Sequence, residues 1–172
     1  MVSETDVVVI GGGMAGVTAA HHLAPNRRVA LLEREDQLAQ HTTGRSAAVY
    51  LENYGGLLNR ALTIASRPFL DDPGDLADSP LLEPRGALDI VPEEFLAAGT
   101  AHAAEGARLV PSIRLVDQAE ALALHPAVRP EHVAAAIWEP EASAIDVMTL
   151  HQAFVRGAHS AGATFHRGAE AV

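Results

Sequence analysis

The chain has 172 residues, 48% of them apolar and 20% charged, and a formal charge of -10 at pH 7. This length and apolar share suffice for a globular core, while the acidic balance argues against nucleic acid as a partner, because no basic patch is present to overcome the repulsion. Cysteine and lysine are absent and all 12 basic residues are arginines, which removes disulfides, thiol nucleophiles, cysteine-ligated metals and any Schiff-base lysine in this polypeptide. With aromatics at 4%, the core must be built mainly from Ala, Val and Leu. No run of about 18 apolar residues is present to span a bilayer. The N-terminal MVSETD lacks the basic, apolar, small-residue order of a secretory signal, so a cytoplasmic location is expected.

The first predicted element begins at Asp6. The β-branched run Val7 to Ile10 ends in Gly11, Gly12 and Gly13, followed by Met14, Ala15 and Gly16, and reads as strand, tight turn, helix. In this G-x-G-x-x-G spacing Gly11 permits the turn, Gly13 lets the backbone approach a pyrophosphate, and Gly16 lets helix and strand pack closely. The helix then directs its unpaired amides and positive dipole end at the phosphates. It continues through VTAAHHLA, with Val17 and Ala20 facing inward, and Pro25-Asn26 ends it. His21 and His22 are adjacent, so on a helix they diverge by about 100° and do not share a metal.

Val29 to Leu32 form a second strand, closing with Glu33. The carboxylate of Glu33 falls 17 residues after Gly16, where it accepts hydrogen bonds from ribose hydroxyls and disfavours the 2′-phosphate of NADP. Eight residues after Glu33 comes HTTGRSAAVY, from His41 to Tyr50. Two threonines, a glycine and a serine ahead of small residues read as a helix entry with hydroxyls and amides available to an anion.

Taken together, IGGGMAG, LLERE and HTTGRSAA resemble the glutathione-reductase-type FAD-binding fold of the D-amino acid oxidase superfamily. The further phrases RALTIASRPF, SPLLEPRG and LHQAFVRG are similar to segments of its bacterial D-arginine dehydrogenases. The resemblance covers essentially the whole chain. It implies an α/β, Rossmann-like FAD-binding domain carrying part of an α+β substrate domain, with FAD as cofactor. Gly11, Gly13, Met14, Ala15 and Gly16 would hold the pyrophosphate and Glu33 the adenosine ribose, with Arg34 near the adenine. Thr42, Thr43, Arg45, Ser46 and Ala47 would line the pyrophosphate and ribityl chain, bringing the isoalloxazine toward Ala48, Val49 and Tyr50. Tyr54 corresponds to a tyrosine beside the substrate, the one catalytic candidate. Two departures matter. Val49 stands where the arginine-specific enzymes have a histidine, and Ala87 where they have a glutamate that receives the cationic side chain. Without a counter-charge, desolvating a guanidinium is costly, so the expected substrate is an amino acid or related amine that is not strongly cationic.

Leu57 to Phe69 places Leu58, Leu62, Ala65 and Phe69 on one helical stripe, expected to be core, with Pro68 near its end. DDPGDLADSP, residues 71 to 80, reads as a solvated loop rather than a calcium site, since the alternating acidic ladder is missing. Gly86 to Val91 reads as a strand and Glu93 to Glu105 as a helix. Asp117 to Leu124 is a shorter helix with Asp117 as N-cap and Glu120 completing a capping box. Val133 to Trp138 is a strand, Val147 to Ala161 a helix, and Ala163 to Val172 a strand returning to the cofactor domain, with Ala171 near the adenine through its backbone. The expected division is 1–80 for the N-terminal part of the FAD-binding domain, 81–145 for a partial substrate domain and 146–172 for the returning helix and strand. By the resemblance, complete relatives are roughly twice as long. An alternative is therefore an incompetent FAD-binding fragment or split subunit whose missing C-terminal half comes as a separate chain. An NAD-dependent dehydrogenase uses the same glycines and Glu33 but leaves HTTGRSAA unexplained.

Overall fold

The computed structural model describes residues 4–77 and 79–172. Asp78 of the acidic loop and the first three residues of the N-terminal segment read for a signal lie outside the described residues. The chain divides into two compact units. The first comprises the residues up to Ala48, Asp71–Leu81 and Asp146–Val172; the second comprises Val49–Leu70 and Leu82–Ile145. Residues 49–70, grouped with the first domain by sequence, thus contact the second unit.

The first unit contains the β–α–β motif expected of the glycine-rich stretch. Strand β1 (Val7–Ile10), helix α1 (Met14–Leu23) and strand β2 (Val29–Glu33) are followed, after the second unit, by helix α5 (Val147–Ser160) and strand β9 (Thr164–Arg167). The three strands form a parallel sheet in the order β1-β2-β9, with Val7 opposite Val29 and Leu31 opposite Phe165. β-Branched residues suit β1, and Asp6 clamps its entrance. Its carboxylate accepts from the Arg28 backbone N–H and from the Arg28 guanidinium, each at 2.8 Å, and that guanidinium lowers its pKa to about 2. Helix α1 ends at Leu23, as the Pro25-Asn26 signal requires, and fully buries Val17 and Ala20. Helix α5 is capped by Asp146, whose Oδ1 accepts the Thr149 N–H at 2.9 Å. It packs on α1 through small residues: a side chain at Gly157 would run into the His21 ring.

HTTGRSAA does not begin a helix. Residues 38–45 form successive turns, with Gly44 N–H donating to the Ala39 carbonyl at 2.8 Å and Arg45 N–H to that of His41 at 3.1 Å. Positive φ at Ala39 (60°) and Ala48 (51°) interrupts the right-handed run a helix needs. The Ser46 hydroxyl accepts from Ala48 N–H at 3.0 Å, a local turn bond and not a helix cap.

In the second unit β5 (Ala87–Val91), β7 (Ala135–Glu139) and β6 (Arg114–Asp117) form an antiparallel sheet in the order β5-β7-β6. A second small antiparallel sheet joins β3 (Val49–Tyr50), β8 (Ser143–Ile145) and β4 (Leu82–Pro84) in the order β3-β8-β4. Period-two alternation divides the larger sheet into two faces. On one, Val91, Ala135 and Ile137 pack with Ala103 of α3 (Leu96–Ala107); on the other, Val116 and Ala136 pack with Ala121 of α4 (Gln118–Leu124). The α4 N-cap is as expected, with Asp117 Oδ1 accepting Glu120 N–H at 2.8 Å. The reciprocal half of the capping box is missing, because the Glu120 carboxylate pairs with Arg114 instead.

Helix α2 (Leu57–Asp71) forms with Pro68 inside its last turns, but its buried face is not the expected one. Leu58, Leu62 and Phe69 are exposed by 72%, 59% and 39%, and Ala65 is exposed as well, while Arg60 and Leu70 are buried. Arg60 decides the orientation. Its Nη1 donates to Glu105 at 3.0 Å, and its Nη2 lies 2.9 Å from His102 Nδ1, both on α3. An arginine paired in this way turns a polar stripe inward, which hydrophobic periodicity does not register.

Candidate cofactor and substrate site

All the residues expected to hold the cofactor lie in the first unit. Gly11 takes φ 99°, which turns the chain out of β1 at a position where a side chain would be strained. A Cβ on Gly16 would run into the Gly11 carbonyl oxygen, so the close helix–strand contact expected of this glycine is present. Gly13 is the N-cap of α1 and has no side-chain cap. A groove of about 150 Å³ brings Gly13 together with Glu33, Thr42 and Thr43, along with Ala39, Gln40 and His41.

Thr43 ties the two glycine-flanking segments together: its Oγ1 accepts the Met14 N–H at 3.0 Å. Glu33, at the end of β2, accepts the Gly12 N–H through Oε2 at 2.7 Å and the Glu35 N–H through Oε1 at 3.0 Å. The Glu35 N–H, assisted by that of Gly12, holds its carboxyl below the usual range against the opposing effect of burial. A carboxylate has about four lone-pair sites, so these two bonds leave acceptor capacity for ribose hydroxyls while fixing the group's direction.

The remaining expected residues are distributed less tightly. Arg34 is exposed and paired with Glu35 at 3.0 Å. Ala15, Thr42, Arg45, Ser46 and Ala47 are exposed, and Met14 and Ala48 half-buried. Ala171 lies in the irregular tail after β9, exposed, shortly beyond Ala169, whose N–H donates to the Glu33 carbonyl at 2.9 Å. One residue without a sequence signal joins the site. His151 of α5 is only 3% exposed, and its Nε2 lies 2.8 Å from the Gly12 carbonyl oxygen. A single histidine on a helix gave no reason to select it.

Tyr54, Val49 and Ala87 belong to the second unit. Tyr54 is 71% exposed and borders a cavity of about 480 Å³, which Ala87, Asn53, Asp89, His102 and Glu139 also line. Ala87 and Asp89 share one face of β5, and Ala87 pairs with Glu139 on β7. Glu139 is buried and accepts the backbone N–H groups of Glu52 and Asn53, so it braces the segment that leads to Tyr54. Burial raises its pKa, partly offset by those two N–H groups. Asp89 is in the β5–β7 ladder through its backbone, and its side chain makes no hydrogen bond or ion pair among the described residues. Its alternation with Ala87 was the available signal for it, and Glu139 had none, because a glutamate at a strand end reads as surface.

The FAD dependent oxidoreductase family model matches residues 6–172. The chain belongs to this family of FAD-dependent oxidoreductases. FAD is its cofactor, and residues of the first unit are of the kind that group takes: a helix start at Gly13 with no side-chain cap, and a groove that joins Gly13 to the Glu33 carboxylate. Similar solved structures include glycine oxidase from Geobacillus kaustophilus, at 21% identity over 95% of this chain and 46% of that one, with a TM-score of 0.77. FAD-bound L-alpha-glycerophosphate oxidase from Mycoplasma pneumoniae matches at 20% identity over 95% and 44%, with a TM-score of 0.79. L-proline dehydrogenase from P. horikoshii matches at 21% over 98% and 45%, with a TM-score of 0.74. These likenesses show the family fold. The chain spans less than half the length of each of these structures. Among the described residues no helix is long and apolar enough to cross a membrane.

Proposed function

We propose that this member of the family is the cofactor-binding portion of an enzyme that oxidises the C–N bond of an amino acid or related amine. FAD, when bound, supplies the redox chemistry by taking up hydride from the carbon that bears the nitrogen. The role of the chain's own residues is to bind and orient: Gly13 and Glu33 fix the dinucleotide end, and Tyr54, Asn53 and Glu139 shape the cavity of the second unit. That cavity carries the reading, because it joins Tyr54 and Ala87, the two positions the sequence assigned to substrate, with buried polar groups. The names of two similar structures, glycine oxidase and L-proline dehydrogenase, are consistent with an amino-acid substrate.

The finer reading is a substrate that is not strongly cationic. Ala87 supplies no carboxylate at its position, which takes arginine preference out of the likeness to D-arginine dehydrogenases. A cationic side chain is the second reading, favoured by the unpartnered Asp89 on the same face.

The test is a flavin absorbance spectrum of the purified chain, mass spectrometry of the released cofactor, and anaerobic addition of a panel of amines. FAD that is bleached by glycine, proline or neutral D-amino acids, and more slowly by arginine or lysine, supports the reading. Preference for the cationic members, lost in Asp89→Asn, supports the second reading. Bleaching by α-glycerophosphate alone overturns the C–N assignment. Bound FAD that no amine bleaches points to the incompetent fragment.

A further inference from the structure

The Gly12 backbone makes three hydrogen bonds, one through the peptide that precedes it and two through the peptide that follows. Its N–H donates to Glu33 Oε2 at 2.7 Å, and its carbonyl accepts from the Ala39 N–H at 3.1 Å and from His151 at 2.8 Å. A carbonyl oxygen only accepts, so His151 carries its proton on Nε2. His151 is buried on α5, 139 positions along the chain from Gly12, and α5 packs on α1.

In a planar trans peptide the carbonyl of one residue and the N–H of the next point in opposite directions. Turning the Gly12 carbonyl toward His151 and Ala39 therefore turns the Gly13 N–H to the opposite side. Gly13 lines the groove with Thr42 and Thr43, and its N–H makes no hydrogen bond among the described residues. Between two glycines the peptide has little steric resistance to rotation. The loop sequence alone does not fix its direction; the acceptor contacts do.

We propose that His151 is a positioning residue for the cofactor: by pinning the Gly12 carbonyl it aims the Gly13 amide at the pyrophosphate. The role is specific to the diphosphate. It does not extend to the adenosine, which the Glu33 carboxylate serves.

The experiment measures binding of FAD, ADP and adenosine to the purified chain by calorimetry, for the wild type, His151→Leu and His151→Gln. Leucine removes the donor, whereas the glutamine amide replaces Nε2–H. The expected result for His151→Leu is about tenfold weaker binding of FAD and ADP, the factor that one hydrogen bond of about 1.4 kcal/mol carries, with adenosine affinity unchanged. His151→Gln recovers most of the loss. In ¹⁵N-resolved NMR spectra the Gly13 amide resonance shifts on ADP addition in the wild type and in His151→Gln but not in His151→Leu. Should His151→Leu fail to fold, as its melting curve would show, His151→Asn takes its place, because its shorter amide does not reach the carbonyl. Equal losses for ADP and adenosine, or no loss for either, overturn the proposal. A wild-type chain that binds neither FAD nor ADP overturns the cofactor assignment itself, and is recognised before any variant is compared.

Discussion

Glu33 shows how one side chain serves both the loop and the ligand. Its two carboxylate oxygens accept the Gly12 and Glu35 N–H groups, so the residue expected to grip ribose also shapes the turn expected to receive the phosphates. Glu33→Gln removes this symmetry, since the amide nitrogen must face one of two donors, and leaving a part-buried donor unpaired costs about 1–3 kcal/mol. The pH dependence follows from the depressed carboxyl pKa. At neutral pH the unfolded and folded states both hold the group ionised, and its stabilisation is fully present above the unfolded value near 4.5. As pH falls through the lower folded value the native carboxylate is protonated and the contribution is lost. Thermal melts should therefore place Glu33→Gln well below the wild type at pH 7, with the gap narrowing as the pH falls from about 4.5 through the lower folded value. A gap of constant size across that range would show that the charge is not what matters. Asp6, whose pKa is also lowered, is common to both proteins and drops out of the difference.

Helix α2 shows where the sequence stops being informative about an element. Its existence and its length are legible from LLNRALTIASRPF, but its rotation is not, because the apolar stripe at Leu58, Leu62 and Phe69 faces outward while Arg60 is 1% exposed. The same limit applies to His151 and Glu139: both are buried polar residues whose partners are backbone groups 139 and 86–87 positions away, and no local pattern announces a distant carbonyl or amide. By contrast β1, α1, β2 and the Asp117 cap rest on contacts between near neighbours or on glycine spacing, which is why they were legible. HTTGRSAA falls between these cases. Its place beside Gly13 was readable from the family likeness, whereas its turn conformation depends on positive φ at two alanines, which composition does not suggest. For α2 the consequence is measurable. Arg60→Ala empties a buried volume and removes the link to His102 and Glu105, so it should cost about 2–4 kcal/mol in denaturant unfolding. Glu105→Gln should cost less than about 1 kcal/mol, because the Glu105 side chain is 47% exposed and its loss leaves Nη2 bound to His102. Equal costs for the two would show that the ion pair, and not the burial of the arginine, orients the helix.

At the scale of the whole molecule, the exposed apolar surface is the feature that composition did not foretell. Among the described residues β1 pairs with β2 alone, which leaves one of its edges unpaired among them, and on one face of the strand Val8 and Ile10 are 54% and 71% exposed. An open strand edge is a template for another strand, and exposed apolar side chains beside it add to the attraction. In the second unit α2 also exposes leucines, Leu57 and Leu58 by 60% and 72%, but its backbone bonds are satisfied within the helix, so it offers side chains alone. The edge of β1 offers both side chains and unpaired backbone groups, and should dominate self-association of the isolated chain. Light scattering during size-exclusion chromatography should accordingly show species above the monomer mass that grow with concentration. Ile10→Lys places a charge on the open face of β1 at little cost to folding, since surface substitutions typically change stability by about 0.5 kcal/mol or less, and should return the chain toward monomer. Leu58→Lys on α2 should leave the distribution close to that of the wild type. If the α2 substitution dissolves the oligomers and the β1 substitution does not, then side-chain burial without strand pairing drives the association, and the edge of β1 does not.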